Sequence, residues 1–215
     1  LLNQTICGLF TGIPNYIMVP IAAKMVKKWG ARATSIIAGL FGFFAYMTLF
    51  FVGFHPFGQT FKDHYIFNLI WVIFGLTICG LPNKILNVSG QIVTAEALDY
   101  MEWKHGLRNE ALVTTVQGYF GKLATSVTGW LSGMVLTWIN YVPLTDSLGN
   151  AVPQTDPTML NGIWAVFCIL PALARGLYGV SFIIYPIHGD LQQQMIVELA
   201  EKRAQRLAEQ EAKDH

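Results

Sequence analysis

Lys122 is the only ionised residue in the run from Ala111 to Tyr141. Placing a lysine at a bilayer centre costs about 2.5–3.5 kcal/mol on insertion scales, and such a residue is retained mainly where it faces a polar cavity. Its stem is too short to carry the ammonium from there to either surface. Within a cavity the ammonium can donate to hydroxyl groups or pair with a carboxylate. Helical spacing puts Gly118, Thr125, Gly129 and Gly133 on the same side, with Gln117 a little over one turn before the lysine.

Two more cations fall inside apolar runs, Lys84 and Arg175. Lys84 shares a helical face with Asn87 and Gln91, and Asn83, Asn87 and Thr94 form an overlapping one. Gln4, Gly8, Thr11 and Asn15 make a further polar stripe. Each of these groups also has a purely structural reading. Thr and Ser satisfy themselves on the backbone one turn back. Asn and Gln bond neighbouring helices, and the Gly129-to-Gly133 spacing suits close helix packing. Lys84 could pair with a carboxylate or reach towards a headgroup. Arg175, beside Gly176 and Gly179, is expected in a structural ion pair.

The second concentration of chemistry is the charged hinge from Asp99 to Glu110. Glu96 and Asp99 precede it, and Arg108 and Glu110 close it, so a short hinge would bring acids and a base together. Such pairs can form and break as a rocking carrier closes and opens. Their static alternative is an exposed salt bridge of little energetic weight.

These residues are carried by a membrane chain. Over 215 residues the composition is 53% hydrophobic and 13% charged, against roughly 25% charged in soluble domains. The net charge of +1 points to no nucleic-acid surface. Cys7, Cys79 and Cys168 lie in apolar runs and read as packing residues, with neither a disulfide framework nor a metal knuckle in their spacing. A helix needs roughly 20 apolar residues to cross, which gives about five spans, near residues 3–23, 34–54, 65–98, 111–141 and 158–186. The third is over-long and is expected to break near Gly80-Leu81-Pro82. Residues 188–215 read as a charged, solvated helical tail, with Met195, Ile196 and Leu199 as its apolar patch and a regulatory partner site as the lesser reading.

Lys24, Lys27, Lys28 and Arg32 fall in one connection, Lys104 and Arg108 in another, and Lys202, Arg203 and Arg206 in the tail. By the positive-inside rule these connections and the C-terminus are cytoplasmic. An odd number of spans then sets the start of the chain outside, and the expectation is that earlier spans are absent from this sequence.

The segment Ala95-Glu96-Ala97-Leu98-Asp99-Tyr100-Met101-Glu102-Trp103-Lys104-His105-Gly106-Leu107-Arg108-Asn109-Glu110 resembles the connection between helices ten and eleven of the glycoside-pentoside-hexuronide:cation symporters. This is the melibiose-permease branch of the major facilitator superfamily. Asp99, Tyr100, Glu102, Trp103, Arg108 and Glu110 match the family pattern, and Val116-Gln117-Gly118-Tyr119-Phe120-Gly121-Lys122 looks like the start of its helix eleven. Met101 stands where the family usually has Gly, and His105 where a small polar residue is common. The resemblance implies an all-α, polytopic, cell-membrane protein covering helices eight to twelve of a twelve-helix carrier, without its N-terminal half. It implies cation-coupled symport of a glycoside or other sugar, with Gln117 and Lys122 facing the sugar, and Arg108, Glu96, Asp99 and Glu110 in a cytoplasmic gating cluster. Asn87 joins the sugar-facing set from its spacing alone. No cofactor is implied; the coupling cation, Na+ or H+, would bind carboxylates in the N-terminal half.

The rival reading is an accessory membrane subunit or an intramembrane enzyme complete as it stands. No catalytic set supports an enzyme: His55 and His64 fall in a loop, and neither a His-Glu helix motif nor paired intramembrane carboxylates occur.

Overall fold

A computed structural model describes residues 2–53, 65–145, 151–152 and 156–214. The side chains of Gln4 and Cys7, and the loop holding His55 and His64, lie outside the described residues. The described residues form five helices: α1 (Leu2–Val52), α2 (Tyr65–His105), α3 (Glu110–Trp138), α4 (Pro157–Ser181) and α5 (Asp190–Asp214). A two-residue antiparallel ladder, β1 (Leu144–Thr145) with β2 (Ala151–Val152), lies between α3 and α4. Among the described residues three helical stretches, Thr11–Val52, Ile66–His105 and Pro157–Ser181, are long and apolar enough to cross a membrane.

The first two expected spans fall within α1. Helix continues through the basic stretch from Lys24 to Arg32, where a loop was expected, and only Gly30 leaves it (φ 80°, ψ 162°). That left-handed φ is one that glycine adopts without a Cβ clash, so α1 is two limbs meeting at Gly30. Arg32, just past the bend, donates from Nε to Phe182 O at 3.1 Å and from a terminal nitrogen to Ile183 O at 2.7 Å. It thereby serves backbone carbonyls that the end of α4 leaves over.

The break expected near Pro82 does not occur: α2 is one helix through Gly80-Leu81-Pro82. A proline removes one backbone donor, and neighbouring helices can hold such a helix together. Pro82 is fully buried, and a Cβ added at Gly42 of α1 would lie 3.4 Å from its ring. The length of α2, roughly 60 Å at 1.5 Å per residue, reflects a run that continues beyond the apolar segment into the charged one. Asp99 to His105 are therefore helical, and the hinge contracts to residues 106–109.

The core is α1 packed on α2 and α4. One buried cluster joins Ala22 and Ala38 of the two α1 limbs to Ile85 and Leu86 of α2; a second joins Leu49, Cys79 and Cys168. Small residues set the spacing. A Cβ on Gly39 would sit 2.6 Å from Gly179 Cα, so the α1–α4 crossing requires glycine there. Ser35 and Ser89 hydroxyls bond each other between α1 and α2, and Ser89 also donates to Ala31 O at 3.0 Å.

Helix α3 differs from these. None of its residues is buried, and Gly118, Gly121, Gly129 and Gly133 have open space where a Cβ would stand. The Gly129–Gly133 face thus packs against no helix among the described residues.

Candidate functional site

The charged joint is built by helix spacing. Asp99 and Glu102 lie one turn apart near the end of α2, Gly106 (φ 72°) turns the chain, and Asn109 caps α3 by accepting from Leu112 N at 3.0 Å. Arg108 then reaches back to Asp99 at 3.0 Å and Glu102 at 3.8 Å, and its Nε donates to Glu110 at 2.8 Å. From α5, Arg203 pairs with Asp99 at 2.9 Å and also with Glu102. Arg206 adds a contact to Glu102 at 3.7 Å. The Glu110 and Asp99 carboxylates push the Arg108 guanidinium pKa up, and hydrogen bonds to Glu102 and Asp99 do the same for Arg203.

The cluster differs from the expected one by a member. Glu96 lies one turn farther from the joint than Asp99, and accepts from Tyr185 Oη and Gln192 Nε2, each at 2.7 Å. The nearly buried Glu102, with a side chain 8% exposed, is the carboxylate that three arginines share. Its family match was visible in the sequence; its centrality was not, because Arg203 and Arg206 arrive from about a hundred residues away.

The tail is likewise not a freely solvated helix. Met195 and Leu199 of α5 are buried, and Trp103 Nε1 donates to Glu198 at 2.7 Å. Lys202 donates to Trp103 O at 3.3 Å. Burying two such side chains stabilises docking by about 1.5–3 kcal/mol each, more than an exposed ion pair at about 0.2–1 kcal/mol.

Farther along α2 lies a polar wall. Gln117 of α3 donates to Thr94 Oγ1 at 2.8 Å, and Thr94 donates to Gly90 O at 2.9 Å. This bond links the two helices. Gln91 and Asn87 are exposed on α2, and Lys122 is exposed on α3 with no ion pair among the described residues. Lys84, half-buried, sets its Nζ 4.7 Å from the centroid of the Tyr16 ring on α1. A carboxylate partner for Lys84 is absent among the described residues. A cation–π contact of about 0.5–2 kcal/mol does not offset the cost of a lysine at bilayer depth. Tyr16 was not singled out in the sequence, because no spacing rule links it to a residue on another helix.

The third intramembrane cation departs from its expected ion pair. The Arg175 guanidinium lies 5.8 Å from the Tyr46 ring, and one of its terminal nitrogens is buried without a hydrogen-bond partner among the described residues. The apolar runs of α1 and α2 that surround it contain no acid to pair with.

Residues 2–189 match the family described as MFS/sugar transport protein. The chain belongs to this family. An uncharacterized symporter of Bacillus subtilis, YjmB, is 30% identical over 87% of the chain and 37% of its own length. The isoprimeverose transporter of Lactiplantibacillus pentosus is 28% identical over 55% of the chain and 23% of its length. A putative sulfoquinovose importer of Escherichia coli is 35% identical over 39% of the chain and 18% of its length. The chain therefore spans well under half of each of these relatives, and all three are named as transport proteins. No solved structure matches it.

Proposed function

We propose that the chain is the C-terminal portion of a sugar carrier of the glycoside-pentoside-hexuronide:cation branch, working by alternating access against a second helical half. The observation that carries the reading is the wall formed by α2 and α3. There Gln117 is bonded to Thr94, and Lys122 and Asn87 stand exposed on helices otherwise rich in apolar residues. In lipid such a surface is costly; facing a midplane cavity it supplies the donors and acceptors that sugar hydroxyls need. Gln117, Lys122 and Asn87 take the sugar-facing role. The end of the bundle holding the basic residues, the joint and α5 is assigned to the cytoplasm. At that end Arg108, Asp99 and Glu110, with Glu102 as their shared neighbour, act as a charge cluster that loosens and re-forms as the halves rock. Glu96 supports it through Tyr185 and the start of α5.

The names of the relatives, a symporter, an isoprimeverose transporter and a putative sulfoquinovose importer, favour a glycoside or sugar derivative as substrate. Coupling to Na+ or H+ would use carboxylates on the facing half, since α1, α3 and α4 carry none within their apolar runs. The test is Lys122→Ala in the complete carrier. Concentrative glycoside uptake is expected to fall at least tenfold while membrane expression holds; full uptake by the variant overturns the cavity role.

A further inference from the structure

We propose that the crevice between the end of α2 and α5 is a binding site for a soluble phosphate monoester, whose occupant pins the tail beside the charged joint. The site itself does not depend on the carrier reading above; its effect on turnover does.

The residues are the first argument. On α2, Trp103 and Lys104 follow Tyr100 by about one turn and share its face, and on α5 Leu191, Glu198 and Lys202 recur at helical spacing. Where the two helices meet, these six residues line a crevice of about 390 Å³, within the ordinary range for small-molecule sites. The Tyr100 and Trp103 rings, 5.8 Å apart, make one wall of it.

Charge is the second. At the neighbouring joint Arg108, Arg203 and Arg206 are all paired with carboxylates. Lys104 and Lys202 are exposed and have no ion pair among the described residues. Lys104 lies 3.5 Å from the Tyr100 hydroxyl, and Lys202 donates to Trp103 O at 3.3 Å. An ammonium has three donors, so each lysine keeps N–H groups for a further acceptor. Glu198 is the acid of the lining, but its oxygens accept from Trp103 Nε1 and Gln194 Nε2, each at 2.7 Å, and so orient the indole. A phosphate monoester carries about −1.5 to −2 charge. It can take charge-assisted hydrogen bonds from both lysines while its organic part covers the aromatic wall.

Position is the third, and it separates a soluble ligand from a lipid. The 41 residues of α2 extend roughly 60 Å, against about 40–45 Å for a bilayer with its headgroups. Trp103 lies roughly 10 Å along the helix beyond Glu96, where the apolar run meets its first acid. The crevice therefore stands clear of the headgroup layer, within reach of a soluble monoester rather than a phospholipid diester. A ligand bridging Lys104 to Lys202 holds α5 where Arg203 shares Asp99 and Glu102, and so slows rearrangement of the joint.

The experiment uses the complete carrier in phosphatidylcholine nanodiscs, with glucose 6-phosphate as the probe. Saturable binding with a Kd of about 1 mM or tighter is expected, and glucose is expected not to displace it. Lys104→Gln and Lys202→Gln should each weaken binding by about fivefold or more. Lys122→Ala, in the sugar-facing set, and Lys24→Gln, outside the crevice, should leave it unchanged. In the wild type the probe should slow proteolysis within Asp190–Asp214 several-fold, a readout that needs no variant. Absence of saturable binding, unchanged binding in either crevice variant, or unchanged proteolysis overturns the site. Loss of binding in Lys122→Ala with both crevice variants unaffected puts the probe in the sugar cavity, which overturns the crevice and leaves the carrier reading in place. Displacement of the probe by phosphatidylglycerol added to the nanodiscs gives the crevice to a headgroup and overturns the soluble ligand.

Discussion

The charged joint and the polar wall are both built on α2, yet they treat charge in opposite ways. At the joint, Asp99 and Glu102 are shared among Arg108, Arg203 and Arg206, so every one of these groups has a partner. Along the wall, Lys84 and Lys122 have no carboxylate beside them among the described residues. The difference follows from solvent. Exposed pairs contribute about 0.2–1 kcal/mol each, so the joint can exchange partners at little cost. A lysine held at bilayer depth costs more than that, which is why the wall is proposed to face a cavity shared with a second half.

The comparison breaks first at Arg108. In the complete carrier, Arg108→Glu is expected to slow turnover about tenfold, roughly 1.4 kcal/mol in the barrier, while sugar affinity changes less. Counterflow rates together with equilibrium binding measure the two, and equal losses in both would remove the distinction between joint and wall. Glu102→Ala comes next. It leaves three arginines without their shared acceptor and should weaken docking of α5 by about 1–3 kcal/mol. Limited proteolysis within Asp190–Asp214 should then speed up several-fold, and unchanged cleavage would show that Met195 and Leu199 hold the tail alone. The smallest effect is expected at the wall's internal bond. A double-mutant cycle of Gln117→Ala and Thr94→Val, read as sugar affinity, should give a coupling of about 0.5–1.5 kcal/mol. No coupling would mean that the two groups meet substrate independently.

Much of this was legible in the residues. Apolar run lengths located the helices, because a bilayer sets how long a spanning helix must be. The isolation of Lys122 and the acid–base spacing around Arg108 marked the two regions. The boundaries were less legible. Proline and basic residues looked like breaks, but α2 runs unbroken through Pro82, which packs near Gly42, and α1 leaves helix only at Gly30 within its basic stretch.

The sequence by itself determined a membrane-embedded helical chain with cations deep in its apolar runs and, within the expected spans, an acid only at Glu96 near the end of the third, since composition and spacing are local properties. Tertiary structure alone decided which charges meet. It exchanged Glu96 for Glu102 as the arginines' neighbour, brought Arg203 across from the tail, and placed Lys84 over Tyr16. Each of these joins residues far apart in the chain, and such contacts depend on how helices cross, which no single helix's periodicity encodes.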